Sequence, residues 1–342
     1  MPDVARQAAM VEADGWDGVM LFDSQSLIGD PYVAMTLAAT ATRRLGVGVG
    51  VTNPVTRHAA VTASVAASVQ AASGGRAVVG LGRGNSSLAF LGAAPASLAA
   101  FEEYLQVVQA LLSGNAAPVE ALLPRREGVR PLDPSSLGRA PDEARLQWLD
   151  PSLPKTPVEV AATGPKAIAI GARWGDRLSF SVGAVQQSLA RSIALARAAA
   201  EACGRPAPPL TAYVAVAVLN DQVAARRLVA PDVAMHAHIG AMSAAASAGL
   251  SEADRRTTED VAAAYDMTRH GRHGAQTEAL EDDFIDTHAI AGSPSYCAER
   301  LRALAALGLD RLVLMMAPPV KGGARRSYET ASAELLPKLR EG

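Results

Sequence analysis

The chain has 342 residues, of which 49% are apolar, and a formal net charge of −2. That is ample apolar material for a large core and no basis for bulk attraction to nucleic acid or an anionic membrane. Two cysteines, Cys203 and Cys297, exclude a cysteine-rich metal site and fit a reducing, cytoplasmic setting; no apolar run approaches the ~18 residues of a membrane helix, and Met1-Pro2-Asp3 does not open a secretory leader.

In chain order, residues 4–13 read as a short helix and 18–23 as a buried strand ending at an acid. Asp30 caps a helix that begins at Pro31 and runs to about Thr42. Residues 44–50 are apolar at every non-glycine position after Arg44, as in a strand buried on both faces. A polar loop follows, where Pro54 stops the strand. Residues 59–72 are helical and end at Ser73-Gly74-Gly75; residues 77–82 form the next buried strand. An amphipathic helix spans 98–112. Residues 114–157 are proline-rich and aperiodic, and read as an insertion over the mouth of the site. Strands return at 158–162, 177–182, 210–219 and 309–317, with helices at 164–174, 186–203, 294–307 and 327–339. Residues 221–280 read as an alanine-rich helical insertion.

Alternating strands and helices predict a parallel sheet wrapped by helices, a single domain over 1–342. Seven strands are counted, and their polar C-terminal loops share one edge, where α/β proteins place their sites. Four loops carry the candidate chemistry. Asp23, Ser24 and Gln25 end the first counted strand and are candidates for orienting a substrate. Arg83 and Gly84 end the third; in a barrel, Arg83 faces a cofactor or an anionic substrate. Ala162, Thr163, Gly164, Pro165 and Lys166 join a strand to a helix, where free N–H groups and a lysine suit a phosphate. Ser181, Gly183 and Ala184, after the next strand, would close the same pocket.

Phe22-Asp23-Ser24-Gln25, Asp30-Pro31-Tyr32, Gly50-Val51-Thr52-Asn53-Pro54, Ser73-Gly74-Gly75-Arg76 and Gly80-Leu81-Gly82-Arg83-Gly84 together resemble the luciferase-like monooxygenase superfamily. They are most similar to its coenzyme F420-dependent branch, which includes methylenetetrahydromethanopterin reductase. The resemblance implies a (β/α)8 TIM barrel of the bacterial luciferase type. A barrel of this kind has eight strands; the first would precede residue 4, and is missing or replaced. It also implies a non-prolyl cis peptide at Gly50-Val51 that backs the ring, with Thr52 and Asn53 beside it and the Asn53 amide offered to the ring's polar edge. The implied function is hydride transfer between the deazaflavin C5 and a C=C, C=N or alcohol or ketone carbon. The implied assembly is a homodimer through the helix at 59–72. Arginine bias, with lysine only at 155, 166, 321 and 338, and heavy alanine use fit a high-GC producer genome.

Two alternatives stay open: an FMN-dependent monooxygenase or reductase, and a cofactor-free, non-catalytic barrel. Related sugar-phosphate dehydrogenases carry a catalytic His where Ser24 stands and a Glu where Arg83 stands, so their acid–base mechanism is not carried over. His236, His238, His270 and His273 have no diagnostic metal spacing and read as solvated or core residues, so no metal is expected; His58 is a minor pocket candidate. Gly80 to Gly84 alone is a weak dinucleotide signal, and no Gly-x-Ser-x-Gly elbow supports a hydrolase. The substrate, a small molecule or a modified peptide, is left unnamed.

Overall fold

The computed structural model of the protein describes residues 3–123, 133, 141–241 and 250–341. Two compact units divide the chain. The first holds Met1–Ala13, Asp17–Val160 and Trp174–Asp176; the second holds Asp14–Trp16, Ala161–Arg173 and Arg177–Gly342.

In the first unit, α1 (Val4–Ala13), β1 (Gly18–Leu21), α2 (Pro31–Ala41), β2 (Gly46–Thr52), α3 (Ala59–Ser73), β3 (Ala77–Leu81) and α4 (Leu98–Leu112) lead to β4 (Val158–Ala162). The strands pair in parallel: Gly18 with Gly46, Val47 with Ala77, and Val79 with Val158. Val47, Val49, Val79 and Leu81 are at most 1% exposed, which explains why these strands read as unbroken apolar runs. Asp30 starts α2: its Oδ1 accepts from Tyr32 N and Val33 N at 2.9 and 3.2 Å.

The turn after α3 works through Arg76. Gly74 sits at φ +64°, ending the helix in the left-handed region. The Arg76 guanidinium then donates to the carbonyls of Ala39, Thr42, Leu45 and Ser73. One side chain thus satisfies carbonyls after α2, before β2 and at the end of α3.

Between α4 and β4, residues 117–118 and 143–144 form a two-stranded antiparallel pair. The rest of the expected 114–157 insertion lies partly outside the described residues.

In the second unit, α5 (Pro165–Trp174) precedes β5 (Arg177–Phe180), α6 (Gln186–Ala202), β6 (Leu210–Val218), α7 (Gln222–Ala241), α8 (Glu252–Ala264) and α9 (Asp282–His288). Then come β7 (Ile290–Gly292), α10 (Pro294–Ala305), β8 (Arg311–Met315) and α11 (Gly322–Thr330). β6 is central and buried at all nine positions. It pairs in parallel with β5 from Leu210 to Ala212, with β8 from Thr211 to Ala215, and with β7 from Val216 to Val218.

One expectation changes: the seven counted strands omit β7, whose three residues are too short for a periodic signal. Within residues 221–280, read as helical, α7 and α8 are separate helices whose Val229, Val233 and Val261 pack with Phe284 of α9 beside Ala215 of β6. Parallel strands, eight among the described residues with β7 included, alternating with helices are the elements of a (β/α)8 barrel.

Candidate active site

In the first unit, three loops meet at the C-terminal ends of β1, β2 and β3. The peptide Gly50-Val51 is cis, as the resemblance implied. The β2–β3 register breaks there: Val49 faces Val79, but Thr52 faces Leu81, so β2 carries one extra residue as a bulge. Gly80 lies against that bulge, and a Cβ on it would stand 2.3 Å from Val49 O. The loops are then cross-linked. Gly82 N donates to Thr52 O at 2.9 Å, Gln25 Nε2 donates to Ser87 O at 3.2 Å, and Asn53 Nδ2 reaches Ser87 Oγ at 3.4 Å.

Several polar side chains expected to face a ligand are spent on the scaffold. Asn53 is 1% exposed, and its Oδ1 accepts from Val55 N and Thr56 N. That Asx turn shapes the loop and removes the amide oxygen from any ring. Asp23 is buried and paired with Arg57, so its carboxylate is not free to orient a substrate. His58 caps α3: its Nδ1 accepts from Ala60 N, so the proton lies on Nε2, which donates to Leu122 O. Arg83 Nε donates to Ala96 O at 2.5 Å, while no partner for its Nη atoms stands among the described residues.

What remains for a ligand is different. The buried hydroxyls of Ser24 and Thr52 have no hydrogen-bond partner among the described residues. Gln25 is exposed, and so are Phe22 (51%), Leu27, Ile28 and Leu91 on the same loops. These apolar side chains were missed in the sequence because only exposure sets them apart from core residues.

In the second unit, Ala162 is buried, Thr163 and Gly164 are half-buried, and Lys166 is exposed at the start of α5 with no ion pair among the described residues. Ser181 follows β5. Gly183 sits at φ +68°, and a Cβ there would lie 2.7 Å from His288 O; Ala184 N donates to that same carbonyl at 2.9 Å. Ser181 Oγ lies 2.8 Å from His236 Nε2, so one of the discounted histidines belongs to a predicted loop. Sequence could not reveal it, since the two residues are brought together only by α7 packing on β6.

The luciferase-like monooxygenase family matches residues 1–311. The chain belongs to this family. Among similar proteins is the 5,10-methylenetetrahydromethanopterin reductase of Archaeoglobus fulgidus, 25% identical over 97% of this chain and 94% of that protein. The enzyme of the same name from Methanolobus tindarius is 25% identical over 91% and 89%. Among solved structures, the coenzyme F420-dependent tetrahydromethanopterin reductase of Methanopyrus kandleri superposes with a TM-score of 0.73 at 19% identity, covering 99% of this chain and 95% of that one. An F420-dependent secondary alcohol dehydrogenase in complex with an F420-acetone adduct gives 0.71 at 17% identity, with coverages of 99% and 95%. These superpositions show the luciferase-like barrel fold.

Proposed function

We propose that the protein is an F420-dependent oxidoreductase acting on a small organic substrate. The bulge at Val49–Thr52, with the cis Gly50-Val51 peptide at its centre, carries the reading. The names of the relatives support it: two are methylenetetrahydromethanopterin reductases, and two similar folds are named F420-dependent. Bound F420 supplies the two-electron chemistry at its C5.

The residues present fit that group. Gly50 and Val51 offer a backbone ledge for the back of a tricyclic ring, and the open Ser24 and Thr52 hydroxyls offer hydrogen bonds beside it. The N–H groups at the start of α5, with Thr163 and the Lys166 charge, suit a phosphate. The Arg83 Nη groups suit an anionic part of cofactor or substrate. Phe22, Leu27 and Ile28 exclude water from whatever reaches the loops. Substrate candidates are a C=C, a C=N or an alcohol or ketone carbon. A homodimer is proposed through α2 and α3, where Val33, Leu37 and Val61 are exposed.

The test is anaerobic titration with F420 and with FMN, followed by fluorescence. F420 should bind in the micromolar range and FMN more weakly. Deuterium at C5 of the reduced deazaflavin should appear on a product carbon. Stoichiometric FMN in the purified protein, or oxygen consumed per product, would replace F420 with FMN.

A further inference from the structure

The Ser181–His236 contact has a definite polarity. His236 Nε2 meets Ser181 Oγ at 2.8 Å, and the ring also hydrogen-bonds the backbone of Asp232, one turn earlier on α7. That bond favours the protonated ring, so the backbone group is the carbonyl, and a carbonyl only accepts. Nδ1 therefore carries the proton. In the neutral ring Nε2 is bare, and the Ser181 hydroxyl must donate its proton to it. Ser181 then presents only lone pairs to a ligand, which is the wrong polarity for an anion. Protonating His236 reverses the bond: Nε2–H donates to Oγ, and the hydroxyl proton turns outward.

We infer that His236 is a positioning residue that sets the polarity of Ser181, so that an anion binding at the end of β5 draws a proton onto His236. This rests on the reading that the F420 phosphate reaches these turns. The phosphodiester of F420 is ionised across the neutral range, so the proton taken up must come to the protein.

The surroundings favour such a switch. Burial lowers the proton affinity of His236, which keeps the ring neutral without a ligand. His288, from α9, interacts electrostatically with it; burial pushes His288 down to about 4, so it is neutral as well. Asp254, from α8, acts on His288 in the opposite direction. On α7 itself the Asp232 carboxyl, pushed up by burial to about 6, stands one turn from the ring, and Tyr265 after α8 interacts with it.

Two measurements test this. The first is the ratio of affinities for F420 and for its phosphate-free chromophore, across pH 6 to about 8. The ring hydroxyl is common to both and cancels. With full coupling the ratio falls by up to about tenfold per pH unit above the His236 midpoint. H236Q, which cannot titrate, should flatten the slope, and S181A should flatten it with a loss of F420 affinity alone. A flat ratio in the unmodified protein, or a slope that survives in H236Q, overturns the inference.

The second measurement needs no cofactor. The ring ¹⁵N shifts of His236 are followed against pH with and without excess sodium sulfate, assigned by the signal missing in H236Q. Sulfate should raise the His236 midpoint; an unmoved midpoint overturns the inference even if F420 binds. F420 failing to bind at any pH, with sulfate still raising the midpoint, refutes the cofactor and sustains the switch.

Discussion

Arg57 holds Asp23 side-on: Nε donates to Oδ2 at 2.8 Å and Nη2 to Oδ1 at 3.4 Å, while Nη2 also reaches Asp30 Oδ2 at 2.6 Å. The guanidinium lies 4.8 Å from the Tyr32 ring centroid as well. The Asp23 side chain is 3% exposed and Arg57 20%. Arg57 is thus committed to two aspartates. Arg57→Ala should therefore destabilise the fold by about 2–3 kcal/mol, below the ~3–5 kcal/mol of a fully buried pair, because Arg57 retains some solvent. Urea unfolding measures this. Unchanged stability with a salt-dependent loss of F420 affinity would assign Arg57 to the cofactor.

Lys166→Ala should weaken F420 binding by about 1–3 kcal/mol, the range of a charge-assisted hydrogen bond. The melting temperature should hold, since Lys166 is exposed. Affinity equal to that of the parent would reduce the turn to a helix start.

Gly80→Ala probes the bulge. The added Cβ would meet Val49 O at 2.3 Å, so β2 or β3 must shift. The cost should be about 1–3 kcal/mol, the usual range for overpacking. Ring affinity should fall with it, whereas Gly204→Ala, where a Cβ meets nothing within 4 Å, should leave the cofactor alone. Equal effects on F420 affinity at both positions would detach the ring from the bulge.

His288 and Asp232 should pull stability in opposite directions with pH. Burial lowers His288 to about 4, so the unfolded chain takes up its proton first. That contribution, about 3 kcal/mol in full, is present above pH ~6.5 and is lost as pH falls toward 4. Burial raises Asp232 to about 6, so its carboxyl opposes folding as pH rises from about 4 through 6. Between pH 7 and about 5 the two largely offset each other. Asp232→Asn should therefore steepen the loss of stability on acidification, and His288→Gln should reduce it. Thermal melts at several pH values read both; parallel curves for all three proteins would contradict the assignment.

Val61→Asp tests the dimer. Val61 is 55% exposed on α3, with Val33 and Leu37 exposed on α2. Light scattering should give a dimer for the parent and a monomer for the variant. A monomeric parent would remove the assembly from the proposal.

The legible parts of this fold are those whose signal is local. β2, β3 and β6 announce themselves because burial on both faces demands apolar residues throughout. Asp30-Pro31 and Ser73-Gly74-Gly75 punctuate helices through their own backbone chemistry. β7 was illegible because Ile290-Ala291-Gly292 is too short to show a period. The polar residues misled for another reason: Asp23, Asn53 and His58 have partners within the fold, and donors and acceptors do not encode in sequence which partner they meet. Ser181 and His236 are 55 positions apart and joined only by tertiary packing.

Arg76 bears on how such proteins are recognised. Its bonds lie where α2 ends and β2 begins, at the opposite end of the strands from the loops that carry the candidate chemistry. Ser73-Gly74-Gly75-Arg76 is thus a signature of architecture. A search keyed to it would gather barrels that have kept their shape and abandoned catalysis as readily as working enzymes. Sorting the two requires the loops that carry the candidate chemistry, Gly50-Val51 in the first unit, and Thr163 to Lys166 and Ser181 in the second.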